Sequence, residues 1–511
     1  MYSLTMAVVP GAGGTATDLT GASPYEAGTI VTVKAEANEG YVFDQWEATA
    51  GTFASANSSE TTFTMPAHSA IVTAIFVSPL ITTWYDLNAV RNNLAGNYTL
   101  MNDLDSTTAG YERLASSTAN QGKGWQPIGT DDTPFSGTFD GGGHSIRNLF
   151  IDRLDESEIG LFGAVEQSGI VMNICLTDAA VRGYDNVGAL VGYNHGIIEN
   201  SCSGGGVTGS KLVGGLVGAN NGTVSDSHST GNTSGISLAG GLVGDNSGTV
   251  NDSYSVSSVL GGNFTGGLVG VNGYSGIGTI SNCYSAGTVV GVDSTGGLAG
   301  LNYGSVNDCY STGRVTGDGL AHKVGSLVGW NAGNVTNSHS TGKVAGYTWV
   351  GGLVGLNDGG AISKCYSTSD ISGLGQWTGG LAGANWGTVT DSYSTGFVSS
   401  SSYVGGLVGE NGGTVNNSYS TGYTSGTFTV GGLVGLNNGG IVSNSFWDTE
   451  TSGQATSDGG TGKTTAEMQD ITTFSGAAWD IVAVANPDVR NPSYSWNIVD
   501  NVTYPFLSWQ S

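Results

Sequence analysis

The sequence predicts an all-β protein, most of it a right-handed parallel β-helix: a solenoid of about eleven 26-residue coils capped at both ends. Three observations predict it. A Gly-Leu-Val-Gly phrase or a close variant recurs, with its leucine at Leu161, Leu190, Leu216, Leu242, Leu268, Leu298, Leu327, Leu353, Leu381, Leu407 and Leu433, at spacings of 29, 26, 26, 26, 30, 29, 26, 28, 26 and 26. Four residues after each marker from Leu190 onward stands an asparagine: Asn194, Asn220, Asn246, Asn272, Asn302, Asn331, Asn357, Asn385, Asn411 and Asn437. Finally, 88 of the 511 residues are glycine, roughly one in six against a usual one in fourteen. They lack the every-third spacing of collagen, and 9 prolines do not make a polyproline chain.

Within a unit, short runs of β-formers punctuated by Gly, Asn and Asp read as strands joined by tight turns. A 26-residue unit has room for about three such strands, too few to bury a face alone, so each must stack on the next. Coils rising about 4.8 Å each make a rod of roughly 48 Å over the ten steps from Leu161 to Leu433. Equivalent residues then stand directly over one another. For the asparagines this predicts a structural ladder, each amide donating to one neighbouring coil and accepting from the other; the alternative is a polar ligand stripe. Gly222, Gly248 and Gly387 are expected at corners needing positive φ. Asp226, Asp252, Asp308 and Asp391 share one lattice position and read as turn residues.

A second row carries rings: His228, Tyr254, Tyr284, Tyr310, His339, Tyr366, Tyr393, Tyr419 and Phe446. Aromatic stacking at strand spacing stabilises such a wall; facing solvent, the row is instead a possible binding platform for sugar rings. Cys283, Cys309 and Cys365 stand one residue before a row member, and Cys175 and Cys202 stand on the row. Neighbouring coils bring Cα atoms within disulfide range, but parallel Cβ directions disfavour the bond. All five are therefore expected as buried thiols in small-residue positions that other coils fill with Ser227, Ser253 or Ser392.

The chain divides into residues 1–78, a β module; 79–150, an opening cap and first coils; 151–447, the repeat solenoid; and 448–511, a C-terminal cap. The module reads as strands at Thr29–Ala35, Gly40–Trp46 and Ile71–Val77, with Tyr41 and Trp46 expected in its core. A Pro-containing joint, Ser78–Ile81, leads to Leu87, Val90 and Leu94 at helical spacing, a helix suited to cover the first coil. Thr464 to Glu467 is a capping-box pattern for a second short helix. Trp479, Trp496, Phe506 and Trp509 are expected to plug the final coil.

The Gly-Gly-Leu-Val-Gly phrases, followed by Asn, Gly and Ser-Tyr-Ser-Thr-Gly, resemble the GLUG motif of large bacterial and archaeal surface proteins. Trp125-Gln-Pro-Ile-Gly129, Phe135–Leu149, Phe446-Trp-Asp448, Gly462–Thr465 and Tyr504–Leu507 extend that resemblance over residues 81–511. Gly40-Tyr-Val-Phe-Asp-Gln-Trp46 and Phe63-Thr-Met-Pro66 resemble the internalin-type B repeat, which implies a small N-terminal β-grasp-like domain. The resemblance implies a scaffold and carries no reaction.

With 14 Lys+Arg against 40 Asp+Glu, a formal net charge of −26, the surface is unsuited to nucleic acid or to anionic lipid. No stretch is apolar for long enough to insert in a membrane, and Ala7–Pro10 is too short for a signal-peptide core. Ser457–Thr464 imitates a phosphate loop but has Ser457 where the first glycine belongs. The six histidines include no zinc-helix spacing. Asp152, Asp155, Glu156 and Glu158 form one dense acidic patch, a candidate for Ca²⁺ or a solvated loop. Thr230, Thr312, Thr341, Thr368, Thr395 and Thr421 recur along the rod, a thin signal for ice binding.

These features lead to an extracellular or cell-surface prokaryotic protein, its signal and anchor segments outside this chain. Its expected role is an adhesin, stalk or fibre subunit without catalytic activity or required cofactor. Its expected partners are a glycan or protein of a host or neighbouring cell surface, or further copies of itself. The alternative class is a β-helix polysaccharide lyase or hydrolase, which needs carboxylates gathered on one wall.

Overall fold

The computed structural model describes residues 1–510 except 22, 39, 78 and 275, so part of the joint at Ser78–Ile81 lies outside the described residues. The N-terminal module pairs two sheets. One joins Leu4–Val9, Ala70–Val77 and Val42–Ala48; the other is an antiparallel set of Gly14–Asp18, Ile30–Ala37, Glu60–Thr64 and Thr52–Phe53. Period-two alternation does its usual work: Val31, Val33 and Ala35 are buried while their neighbours face outward. Trp46 lies in the core among Phe43 and Phe53, its indole N–H donating to the Ser58 carbonyl at 3.0 Å. Tyr41 packs half-buried against the same core.

The rest is a parallel β-solenoid with three walls. Among the described residues the first wall has eleven strands, each beginning just after a marker leucine, such as Val217–Asn220. The second has fourteen, such as Thr223–Ser225, and the third is built from two segments per coil, such as His228–Ser229 and Asn232–Gly240. Each residue pairs with its counterpart one coil away, as Val217 with Val243 and Val224 with Val250. The marker leucines are fully buried and form one column with the valines of the first two walls. Every coil thus supplies a slice of core that only its neighbours complete.

The corners show why the sequence spends its residues as it does. Positive φ falls not to Gly222, Gly248 and Gly387 but to Asp226, Asp252, Asn282, Asp308, Asn337 and Asp391 in one column. A second such column stands four residues before each marker, from Leu212 and Leu238 to Trp377 and Tyr403. The glycines answer a different demand. A Cβ on Gly222 would lie 2.1 Å from the Gly196 carbonyl oxygen of the coil below, and one on Gly387 2.0 Å from that of Gly360. It is backbone stacked on backbone, rather than dihedral freedom, that excludes a side chain there.

Both ends are closed. Thr83 caps the helix Trp84–Ala89 in a reciprocal capping box with Asp86, and Trp84, Leu87 and Val90 are fully buried in the first coils. At the other end Thr464 and Glu467 form the same device for Thr465–Met468. The four C-terminal aromatics do not plug the last coil. Trp447 joins the rod core there, and Ser457 Oγ accepts from the Leu433 and Val434 amides at 3.2 and 2.8 Å. The tail instead folds back along the flank. Trp479, Trp496 and Trp509 donate to the Asn444 carbonyl, the Asp391 carboxylate and the Lys364 carbonyl at 2.8, 3.2 and 3.0 Å. Phe506 lies under Arg490 in a small sheet beside Trp496–Ile498.

One cysteine pair also departs from expectation. Cys175 and Cys202 form a disulfide between adjacent coils, with Cα atoms 4.5 Å apart. The two cysteines stand directly opposite each other in register, close enough to bridge, and the pairing of their strands shifts register only beyond Leu176.

Candidate binding surfaces

The asparagine row lies inside the rod. Asn194 donates to Asn220 at 2.7 Å, and the chain continues without a break through Asn246, Asn272, Asn302, Asn331, Asn357, Asn385 and Asn411 to Asn437 at 2.8 to 2.9 Å. The same amides also donate to backbone carbonyls such as Gly196 and Gly333. All but the half-buried Asn437 are fully buried, which leaves the row no surface on which to meet a ligand.

The ring row stands outside the third wall. His228, Tyr254, Tyr284, Tyr310, His339, Tyr366, Tyr393 and Tyr419 stack at centroid spacings of 4.7 to 5.2 Å, with planes within 13° of parallel. Each face is covered by the next ring, so the row presents edges and no sugar can lie flat along it. The tail covers its upper part: Tyr419 donates to the Pro505 carbonyl at 2.6 Å and Tyr393 to Gln510 at 2.9 Å. Burial pushes the Tyr419 hydroxyl well above its ordinary value and lowers His228 and His339, keeping both imidazoles neutral near pH 7.

The other residues singled out by sequence are held structurally. Cys283, Cys309 and Cys365 are buried thiols whose Sγ atoms donate to the carbonyl two residues back at 3.0 to 3.1 Å, as Ser227 Oγ does at 2.7 Å. Burial pushes the Cys365 thiol up to about 12. The acidic patch does not converge. Asp152 pairs with Arg182 at 3.2 Å, Glu156 with Lys123 and Arg153 at 2.6 and 2.8 Å, and Asp155 with Lys123 at 3.7 Å. Glu158 accepts from the Asp131 amide at 2.9 Å. Among the described residues no group of three or more His, Cys, Asp or Glu is placed to hold a metal. The loop at Ser457 to Thr464 closes the last coil and pairs with Phe446–Asp448. The threonines stand in single file beside the ring row, exposed except Thr421.

A surface that sequence reasoning missed lies in the middle of the rod. Trp349, Trp377 and Tyr403 occupy the second positive-φ column and stack at 5.7 and 5.9 Å. Trp330 and Trp386 flank them, and Lys323 sits over the rings of Trp330 and Trp349 at 5.1 and 5.8 Å. Trp386 and Tyr303 are 44% and 47% exposed. The indole N–H groups of Trp330, Trp349 and Trp377 are buried without an acceptor among the described residues. The column is legible in the sequence, four residues before Leu353, Leu381 and Leu407. No helix among the described residues is long and apolar enough to cross a membrane.

Over 131 residues the chain is 36% identical to Halomucin of Haloquadratum walsbyi, a match covering 24% of this chain and 1% of that protein. Over 126 residues it is 39% identical to a protein of Evansella cellulosilytica named as a Gly-rich membrane protein, covering 24% of this chain and 14% of the other. The chain thus spans only a small part of either relative. A solved structure of a Bacteroides ovatus protein named for an immunoglobulin A1 protease covers 84% of this chain and 92% of its own at 15% identity, with a TM-score of 0.28 too low to carry any argument. The divergent InlB B-repeat family matches residues 4–79, and the GLUG motif matches residues 292–316, 321–345 and 346–372. With these matches the chain carries a divergent InlB B-repeat domain over residues 4–79, followed by a solenoid three segments of which are GLUG motifs.

Proposed function

We propose that this chain is a structural rod of a cell surface that adheres through its tryptophan-rich middle and performs no turnover. The observation that carries the reading is the exposed pair Trp386 and Tyr303, held on a stacked platform of Trp349, Trp377 and Tyr403. A rigid aromatic patch of this kind is the usual anchor of an interface. The names of the two relatives, a halomucin and a membrane protein, support a place at the cell envelope. The partner class is a glycan or protein of a neighbouring surface, which would pack on the exposed rings of Trp386 and Tyr303.

The test is a glycan and surface-protein binding screen with the full chain and with Trp349→Ala/Trp377→Ala. Loss of retention at an unchanged melting temperature supports the reading. Undiminished retention by the double variant overturns the binding face, and release of reducing ends or unsaturated products from a polysaccharide overturns the absence of turnover.

A further inference from the structure

Two neighbouring coils break the repeat at one place. On the first wall the residue three after the marker is apolar or small in most coils, as Ala219, Val271, Leu301, Leu356 and Ala384; it is acidic in two, Glu410, which accepts from the Asn438 side-chain amide at 3.1 Å, and Asp245. The next coil carries the 30-residue spacing, and Tyr274 follows its row asparagine by two residues. Asp245 and Tyr274 together line a groove of about 550 Å³. Leu212, Leu238 and Phe264, successive members of the second positive-φ column, form its apolar wall, and Tyr193 lies on the same lining.

The carboxylate is in an unusual state. Asp245 is only 6% exposed; its carboxylate accepts from the Ser247 hydroxyl at 3.3 Å through Oδ2 and from the Tyr274 backbone amide, while Oδ1 has no hydrogen-bond partner among the described residues. Lys211, which also lines the groove, makes no ion pair with it among the described residues. Burial raises the group to about 6 against two hydrogen bonds that lower it, so near neutral pH it is largely a buried anion with no paired cation among the described residues. Such a charge calls for a cation.

We infer that this groove binds a lysine side chain presented by a partner protein, its ammonium on Asp245 Oδ1 and its methylene stem along Leu212, Leu238 and Phe264. One free oxygen suits the point donor of an ammonium rather than the two-pronged fork of a guanidinium. The apolar wall suits a stem that buries its carbons and extends its charge, and the rings of Tyr193 and Tyr274 offer faces to the cation. A chain of net charge −26 favours the approach of a basic partner. The inference goes beyond the tryptophan face and does not rest on it, since no residue named in that face lines the groove.

The experiment titrates the full chain calorimetrically with the peptide Ac-Ala-Leu-Lys-Leu-Ala-amide, with its norleucine counterpart, and with n-pentylammonium. The lysine peptide is expected to bind at least tenfold more tightly than the norleucine peptide. That preference should vanish in Asp245→Asn and survive in Asp226→Asn, an exposed corner away from the groove. Equal binding of the two peptides, or a preference retained in Asp245→Asn, overturns the inference. Binding of n-pentylammonium with neither peptide assigns the groove to a small amine and overturns the lysine.

Discussion

Asn331 accepts from Asn302 and donates to Asn357, both at 2.8 Å, inside a dry corner. Asn331→Ala is therefore expected to leave two buried partners unmatched and to lower stability by about 2 kcal/mol or more, read as a shifted midpoint in urea; a midpoint at the wild-type value contradicts the ladder. Asp245 predicts the opposite sign. Its acid form is favoured in the fold, since burial raises it from 3.8 to about 6. Its contribution to stability is present at low pH and is lost as pH rises through about 6. Asp245→Asn should then stabilise the chain by about 1 to 3 kcal/mol at pH 8, the gap closing toward pH 4; a pH-independent gap shows that another group is responsible, Lys211, Tyr193 and Tyr274 being those that share the groove. The asparagines could be read from sequence because period and side-chain chemistry agree there. The cause of the corner glycines is not legible in sequence, because dihedral freedom and Cβ clearance both select glycine and no spacing separates the two. Asp245 escaped notice because its position varies from coil to coil, and only the fold shows that its side chain is enclosed.

A coil is the unit of stability, since its leucine and valines are buried only by the coils above and below. Leu327→Asp, which places a charge in that column, should lower stability by several kcal/mol. The exposed corner change Asp226→Asn should stay within about 0.5 kcal/mol, because asparagine tolerates the same positive φ. Equal melting temperatures for the two would contradict a shared core. Asp391, which looks equivalent in sequence, is not a neutral comparison because Trp496 donates to it. The same limit governs the whole C-terminal segment. Its capping box is legible in four residues, whereas the docking of Trp479, Trp496 and Trp509 rests on contacts 35 to 145 residues away that no local pattern records.

Over the whole molecule, the open sheet edges that stacking leaves at either end are covered, at the last coil by Ser457 and by Asp458, which accepts from the Asn437 amide at 2.7 Å. Removing residues 449–511 should expose that edge and the upper rings and drive association. Sedimentation velocity is expected to give one discrete species for the full chain and larger, heterogeneous ones for the truncated chain; the reverse order would mean that the covers do not protect the ends. The same tail has a mechanical consequence. Its last described residues, Trp509 and Gln510, lie beside Lys364 and Tyr393, well below the tip formed by Phe446–Asp448. The tail is therefore docked on the rod's flank. A load applied there meets the contacts at Lys364, Asp391, Tyr393 and Tyr419 side by side and must shear them together before it can peel the terminal coil, so the last coils are held by a strap under tension instead of serving as the weakest link.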